Sequence, residues 1–180
     1  MNENQLIAFF KKSFALKKLK RRGWMQAGIQ NPESVADHTF GLSLLTLILV
    51  DHQYEHINLE KALSLAIIHD LGEYMTGDIT PHDGVNSTDK QHMESKAIRS
   101  LSSIINTDKL NVLWQEYEEN ITAESKLVRE LDTIEMLIQA SIYHDAGSNN
   151  LDEFFEYAEG KIATEPGRRL YLALKKKVTC

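Results

Sequence analysis

Three stretches of this sequence set cation-binding side chains where a buried helix should carry only hydrocarbon. In Ala66-Ile67-Ile68-His69-Asp70-Leu71-Gly72-Glu73 a histidine and an aspartate stand side by side among core-forming neighbours. A buried carboxylate without a partner is costly even after relaxation, so it calls for a counter-charge or a metal. Neighbours on a helix diverge by about 100°, which lets two adjacent side chains reach one ion from two sides. Glu73 follows on the same side of the turn. Asp37-His38 repeats the pattern one turn into a second apolar segment, and Asp132 directly follows Leu131 in a third. Two imidazoles (His38, His69) and two carboxylates (Asp70, Asp132) suit a divalent ion such as Mn, Co, Fe, Ni, Zn or Mg. Each residue alone has an ordinary reading, since a helical histidine is commonly a satisfied core or surface group and His82-Asp83 repeats the pair in a loop. The joint order carries the expectation: a His, a His-Asp thirty-one residues on, and an Asp sixty-two residues beyond that.

Helices must position these residues. Leu6, Ile7, Phe10, Phe14, Leu16 and Leu19 recur at helical spacing over 3–20. Asn31-Pro32-Glu33 opens a second helix reaching about Asp51. Its near-continuous apolar surface (Val35, Phe40, Leu42, Leu44, Leu45, Leu47, Ile48, Leu49) predicts a central, buried element. A third helix is expected over 58–76, closed by Gly77, and Thr76–Asp89 reads as loop. Further helices are expected over 90–106, around 110–119, over 122–143, and at 151–160 and 166–177. No run alternates long enough for a strand, and no internal repeat is visible. The expected fold is all-α: a single-domain helical bundle over 1–180, with the metal site between its central helices.

Composition narrows the function. With 180 residues, 42% apolar and 26% charged, the chain suits a soluble globular domain with a full core. Its 20 basic and 26 acidic residues leave a net charge of −6, against a nucleic-acid or acidic-membrane binder. The N-terminal segment has its charges after the apolar stretch and no small-residue cleavage site, unlike a signal peptide. Leu42–Val50, the longest apolar stretch, is too short to span a bilayer. The single cysteine is Cys180, so no intramolecular disulfide is expected and a reducing, cytoplasmic compartment is the economical reading.

Beyond the His…His-Asp…Asp order, several motifs carry a resemblance. They are Arg22-Gly23-Trp24, Asn31 to His38, His69 to Glu73, Thr76 to Pro81, Leu113-Trp114-Gln115-Glu116-Tyr117 and Glu130-Leu131-Asp132. Together they resemble the HD-domain metal-dependent phosphohydrolases, and within them the small 5′-deoxynucleotidases, over about residues 15–165. That branch removes phosphate from deoxynucleoside 5′-monophosphates. The resemblance implies an HD-type bundle, a homodimer, and His38, His69, Asp70 and Asp132 as ligands of the main ion. It places Glu73 and Asp78 beside the attacked phosphate, as catalytic acids or, with the carbonyl of Ile79, as a second metal position. It sets Arg22 on the phosphate and Trp24 against the sugar. Many relatives carry arginine where this chain has Gly28 and Gly41, so a basic contact is missing here.

The resulting expectation is a metal-dependent phosphomonoesterase acting on a (deoxy)nucleoside 5′-monophosphate. Two alternatives remain open. One is another nucleotide substrate (cyclic, triphosphate or alarmone). The other is a metal-stabilised binding module that has lost catalysis, against which the retained Glu73 and Asp78 argue.

Overall fold

The structure, a computed structural model, describes residues 1–178, so Cys180 lies outside the described residues. Helix α1 (Glu3–Ser13) enters through a reciprocal cap in which the Asn2 side chain accepts from the Gln5 N–H and the Gln5 side chain from the Asn2 N–H. It does not continue to residue 20 as the periodicity predicts. A 3-10 turn (Phe14–Lys17) follows, and the chain then extends to bridge Lys20 with Ser34. The Arg21 N–H donates to the Glu33 carbonyl at 3.0 Å and the Val35 N–H to the Leu19 carbonyl at 2.8 Å. This clasp ties residues 19–21 to the start of the next long helix. The short α2 (Arg22–Gln26) leaves from it.

Helix α3 (Val35–Gln53) starts at Val35 rather than Pro32, because Ser34 and Asp37 cap each other. The Asp37 N–H donates to Ser34 Oγ at 3.1 Å, and the Ser34 N–H donates to Asp37 Oδ2 at 2.8 Å. Asp37 is therefore a capping residue, and only His38 of that pair points inward. Nor is α3 buried all round. Helices α4 (Leu59–Ile68) and α8 (Ala123–Asp145) cover one side, which buries Val35, His38, Leu42, Thr46 and Leu49. Phe40 is 70% exposed on the other side, along with Leu44, Leu47 and Ile48.

The helix expected over 58–76 breaks at the chemistry. Helix α4 ends at Ile68, His69–Gly72 form a turn, and the one-turn α5 (Glu73–Thr76) resumes. Close approach of α6 (Ser87–Ile105) marks the break: a Cβ on Gly72 would lie 3.1 Å from Glu94 Cβ and 3.3 Å from the Glu94 backbone. Gly77 closes α5 at φ 77°. The expected loop holds a 3-10 turn (Pro81–Asp83), and α6 begins at Ser87, capped by Asn86. Helices α7 (Lys109–Glu119), α9 (Asp152–Ala158) and α10 (Glu165–Val178) follow the expected segments closely.

The main core gathers Leu42, Leu65, Leu131, Ile134 and Leu137 from α3, α4 and α8. A second cluster of Leu16, Val35, Ile68, Ile98 and Trp114 lies under the α1 end. Among the described residues the fold is all-α, and no helix is long and apolar enough to cross a membrane.

Candidate metal centre

The three central helices bring together the four residues that spacing singled out. His38 comes from the first turns of α3, His69 and Asp70 from the turn after α4, and Asp132 from the middle of α8. His38 Nε2 lies 3.2 Å from His69 Nε2, 3.1 Å from Asp132 Oδ1 and 3.8 Å from Asp70 Oδ2. His69 Nε2 is 3.1 Å from Asp70 Oδ2. Ligand atoms about 2.0–2.2 Å from one ion stand about 3–3.6 Å apart; His38, His69 and Asp70 offer ligand atoms that all lie within 4.8 Å of one another, close to that spacing, and Asp132 adjoins the group through His38.

Hydrogen bonding identifies which face of each imidazole is free. His69 Nδ1 donates to the Ala66 carbonyl at 2.8 Å, and His38 Nδ1 donates to Glu135 Oε2 at 2.5 Å. With Nδ1–H engaged in both rings, the two Nε2 atoms are lone-pair acceptors facing each other beside two carboxylates. A centre made of four acceptors is frustrated without a cation. The proton affinity of His38 shows the same demand. Burial and Arg21 would lower its pKa, yet hydrogen bonds to Asp132 and Glu135 push it up to about 10. Asp132 is drawn down to about 2, against its own burial, by His38 and His69. Burial would likewise raise Asp70, but His69, Arg21 and His38 hold it below the usual carboxylate range. The donor set therefore fits a divalent ion.

Around this centre lie further acids and bases. Glu73 is 2% exposed, and its Oε2 has no hydrogen-bond partner. Burial first, then Asp70 and Asp78, push its pKa well up. A buried orphan oxygen beside an acidic cluster is a group held ready for a proton or a cation. Asp78 accepts from the Arg22 N–H at 2.6 Å, and the Ile79 carbonyl accepts from Lys90 Nζ at 3.2 Å. Tyr117 Oη donates to Asp132 Oδ2 at 3.3 Å.

Two expected residues sit differently from neighbours that sequence reasoning did not select. Arg22 has a side chain 54% exposed and pairs with Asp83 at 2.7 Å, whereas Arg21 Nη1 reaches Asp70 Oδ2 at 3.3 Å. Burial works against the Arg21 charge, but Asp70, Asp78, Asp132 and Glu73 raise its pKa. Trp24 is 1% exposed, stacks on Phe154 with ring centroids 4.2 Å apart, and donates Nε1–H to Glu33 Oε1 at 2.8 Å. Glu135 and Lys90 were also not anticipated. The only signal for Glu135 was its place one helical turn after Asp132.

A helical bundle that carries a His, a His-Asp and an Asp in this order on its central elements defines a class, and the chain belongs to it: the HD domain family, whose profile matches residues 14–170. Among its relatives, 5′-deoxynucleotidase HDDC2 of Bos taurus is 36% identical over 163 residues, covering 88% of this chain and 78% of that protein. The 5′-deoxynucleotidase hdd1 of Schizosaccharomyces pombe is 36% identical, covering 77% and 73%. The crystal structure of the PH0347 protein from Pyrococcus horikoshii OT3 superposes with a TM-score of 0.80 at 34% identity, over 96% of this chain and 98% of that one.

Proposed function

We propose that this chain is a metal-dependent phosphomonoesterase that hydrolyses deoxynucleoside 5′-monophosphates to nucleoside and phosphate. The observation that carries the proposal is the cluster of His38, His69 and Asp70, with Asp132 against His38 and a buried Glu73 oxygen that lacks a hydrogen-bond partner. The names of its HD relatives support the substrate class. The four residues would hold a divalent ion, which when bound polarises a phosphate oxygen and brings the pKa of a coordinated water to about 7. Arg21 would neutralise the phosphate, a task that its planar fork suits, while Arg22 stays paired with Asp83 nearer the surface. Glu73 would accept the proton of the attacking water, since burial has already raised its affinity for one. Asp78 and the Ile79 carbonyl would flank that step. The in-line attack releases the 5′-oxygen as leaving group. The resemblance alone assigns Trp24 to the sugar; its burial supports a core role.

We further propose that residues 1–180 form one domain in a cytoplasmic homodimer. The exposed apolar stripe of α3 supports self-association, and the net charge of −6 speaks against a nucleic-acid partner. Phosphate release should be measured over matched mono-, tri- and cyclic nucleotides, with and without Mn or Co. Release from deoxynucleoside monophosphates only with metal is the expected result. Preferred release from a triphosphate or cyclic nucleotide would move the chain to another HD substrate, and no release from any would leave a binding module.

A further inference from the structure

Glycine is a poor helix former, yet Gly41 sits inside α3, where its φ is not in the left-handed region. Backbone freedom does not account for it, and space does. A Cβ at position 41 would collide with Glu135 Oε1 and lie 3.2 Å from its Cδ and 3.3 Å from its Cγ. The carboxylate that occupies this space is the one whose Oε2 accepts from His38 Nδ1 at 2.5 Å. Glu135 is buried on α8 three residues beyond Asp132, and Gly41 is three residues beyond His38 on α3. The missing side chain on one helix is thus the seat of a carboxylate on the other.

We infer that Glu135 is a positioning residue for the metal centre, and that Gly41 is glycine to let it act. Resting on the metal-site reading above, the inference assigns to Glu135 a task that the four ligands cannot do for themselves. An ionised carboxylate only accepts, so contact with Nδ1 fixes His38 as the Nδ1–H form with its Nε2 lone pair toward His69 and Asp132. The same contact locks the ring plane and makes Nε2 a stronger base, as outer partners of metal-bound histidines do. His38 has little else to hold it, since its ring is fully buried and its other polar neighbours are ligands themselves. The carboxylate of Glu33 also lies within 4.8 Å of these atoms, and Trp24 Nε1–H holds it in place. A methyl group at position 41 would not break the helix. It would push the flexible end of Glu135 off Nδ1.

The test is metal affinity of the full-length protein, read by Mn titration against a competing chelator and independent of turnover. Outer partners of ligating histidines are typically worth about 10–100-fold in metal affinity. Glu135→Ala should weaken Mn binding by about that factor, and Glu135→Gln, which keeps the volume and an acceptor oxygen, should fall between it and wild type. Gly41→Ala should weaken binding in the same direction. The double variant Gly41→Ala/Glu135→Ala should bind no more weakly than Glu135→Ala alone, because both changes act through one contact. The visible spectrum of the Co-loaded protein should change in Glu135→Gln if the His38 bond is altered, a readout that a purely structural role would not move. Wild-type affinity in both Glu135 variants would overturn the positioning role, and additive losses in the double variant would overturn the link to Gly41. Asp132→Ala separates the layers: if it also binds Mn normally, the metal-site reading itself has failed.

Discussion

Replacing Trp24 by alanine separates two accounts of this indole. The resemblance sets Trp24 against the sugar, where a rigid ring would reject a 2′-hydroxyl by steric clash. The structure buries it to 1% exposure between Phe154, 4.2 Å away in a stack, and Tyr143, edge-on at 5.1 Å. Truncating a buried Trp to Ala costs about 3–5 kcal/mol through lost transfer energy and the cavity left behind. Here the loss also strips Glu33 Oε1 of its indole donor in a place where burial and Glu135 already raise the Glu33 pKa. At about 2–4 °C per kcal/mol for a chain of this size, melting should fall by about 6–20 °C. The kcat/KM values for dAMP and AMP should fall together, leaving their ratio unchanged. Thermal melting of the metal-loaded variant and paired kinetics on the two monophosphates supply both numbers. A melting temperature near wild type, with the ribonucleotide selectively improved, would refute the core placement and return Trp24 to the sugar.

Three further outcomes follow from the same geometry. Glu73→Ala should retain the ion yet lose about 10²–10⁴-fold in turnover, because proton transfer is typically worth that much; metal analysis beside single-turnover kinetics checks it. Gly72→Ala should destabilise by about 1–3 kcal/mol and lower kcat together with Tm, since a Cβ there meets the Glu94 backbone at 3.3 Å and the strain falls on the turn between Asp70 and Glu73. Glu94 is buried beneath this turn, and its pKa is pushed up to about 7, chiefly by burial and further by Asp70 and Glu118, against the opposing charge of Lys90. A folded-state pKa above the unfolded one favours the fold at low pH and is lost as pH rises from about 4.5 to 7. Glu94→Gln should therefore gain on the order of 3 kcal/mol over wild type at pH 8, at about 1.4 kcal/mol per unit, and little at pH 4, measured by denaturant unfolding at the two pH values.

What could be read in the sequence was what residue type and spacing encode. His38, His69, Asp70 and Asp132 stood out because each interrupts an apolar run, and the elements carrying them lie close to where periodicity puts them. The break after Ile68 was illegible because the nearest glycine, Gly72, reads as a helix residue until α6 is packed against it. Arg21 and Arg22 differ by one position at the start of the short α2, so spacing alone does not say which one turns toward Asp70; in the structure it is Arg21. The apolar surface of α3 could not reveal that its neighbours cover one side alone. Gly41 read as a lost basic contact, and only the position of Glu135 across the helix pair gives it a physical reason.

The central claim is that four residues, on α3, on α8 and in the turn after α4, hold one catalytic cation. Elemental analysis of the purified protein beside His69→Ala and Asp70→Ala, each assayed for dAMP hydrolysis after chelation and after add-back of Mn, tests it most directly. The account predicts about one divalent ion per chain in the wild type, turnover lost on chelation and restored by Mn, and neither metal nor turnover in the two variants, because affinity depends on a complete ligand set. Normal metal content with normal turnover in either variant would contradict it.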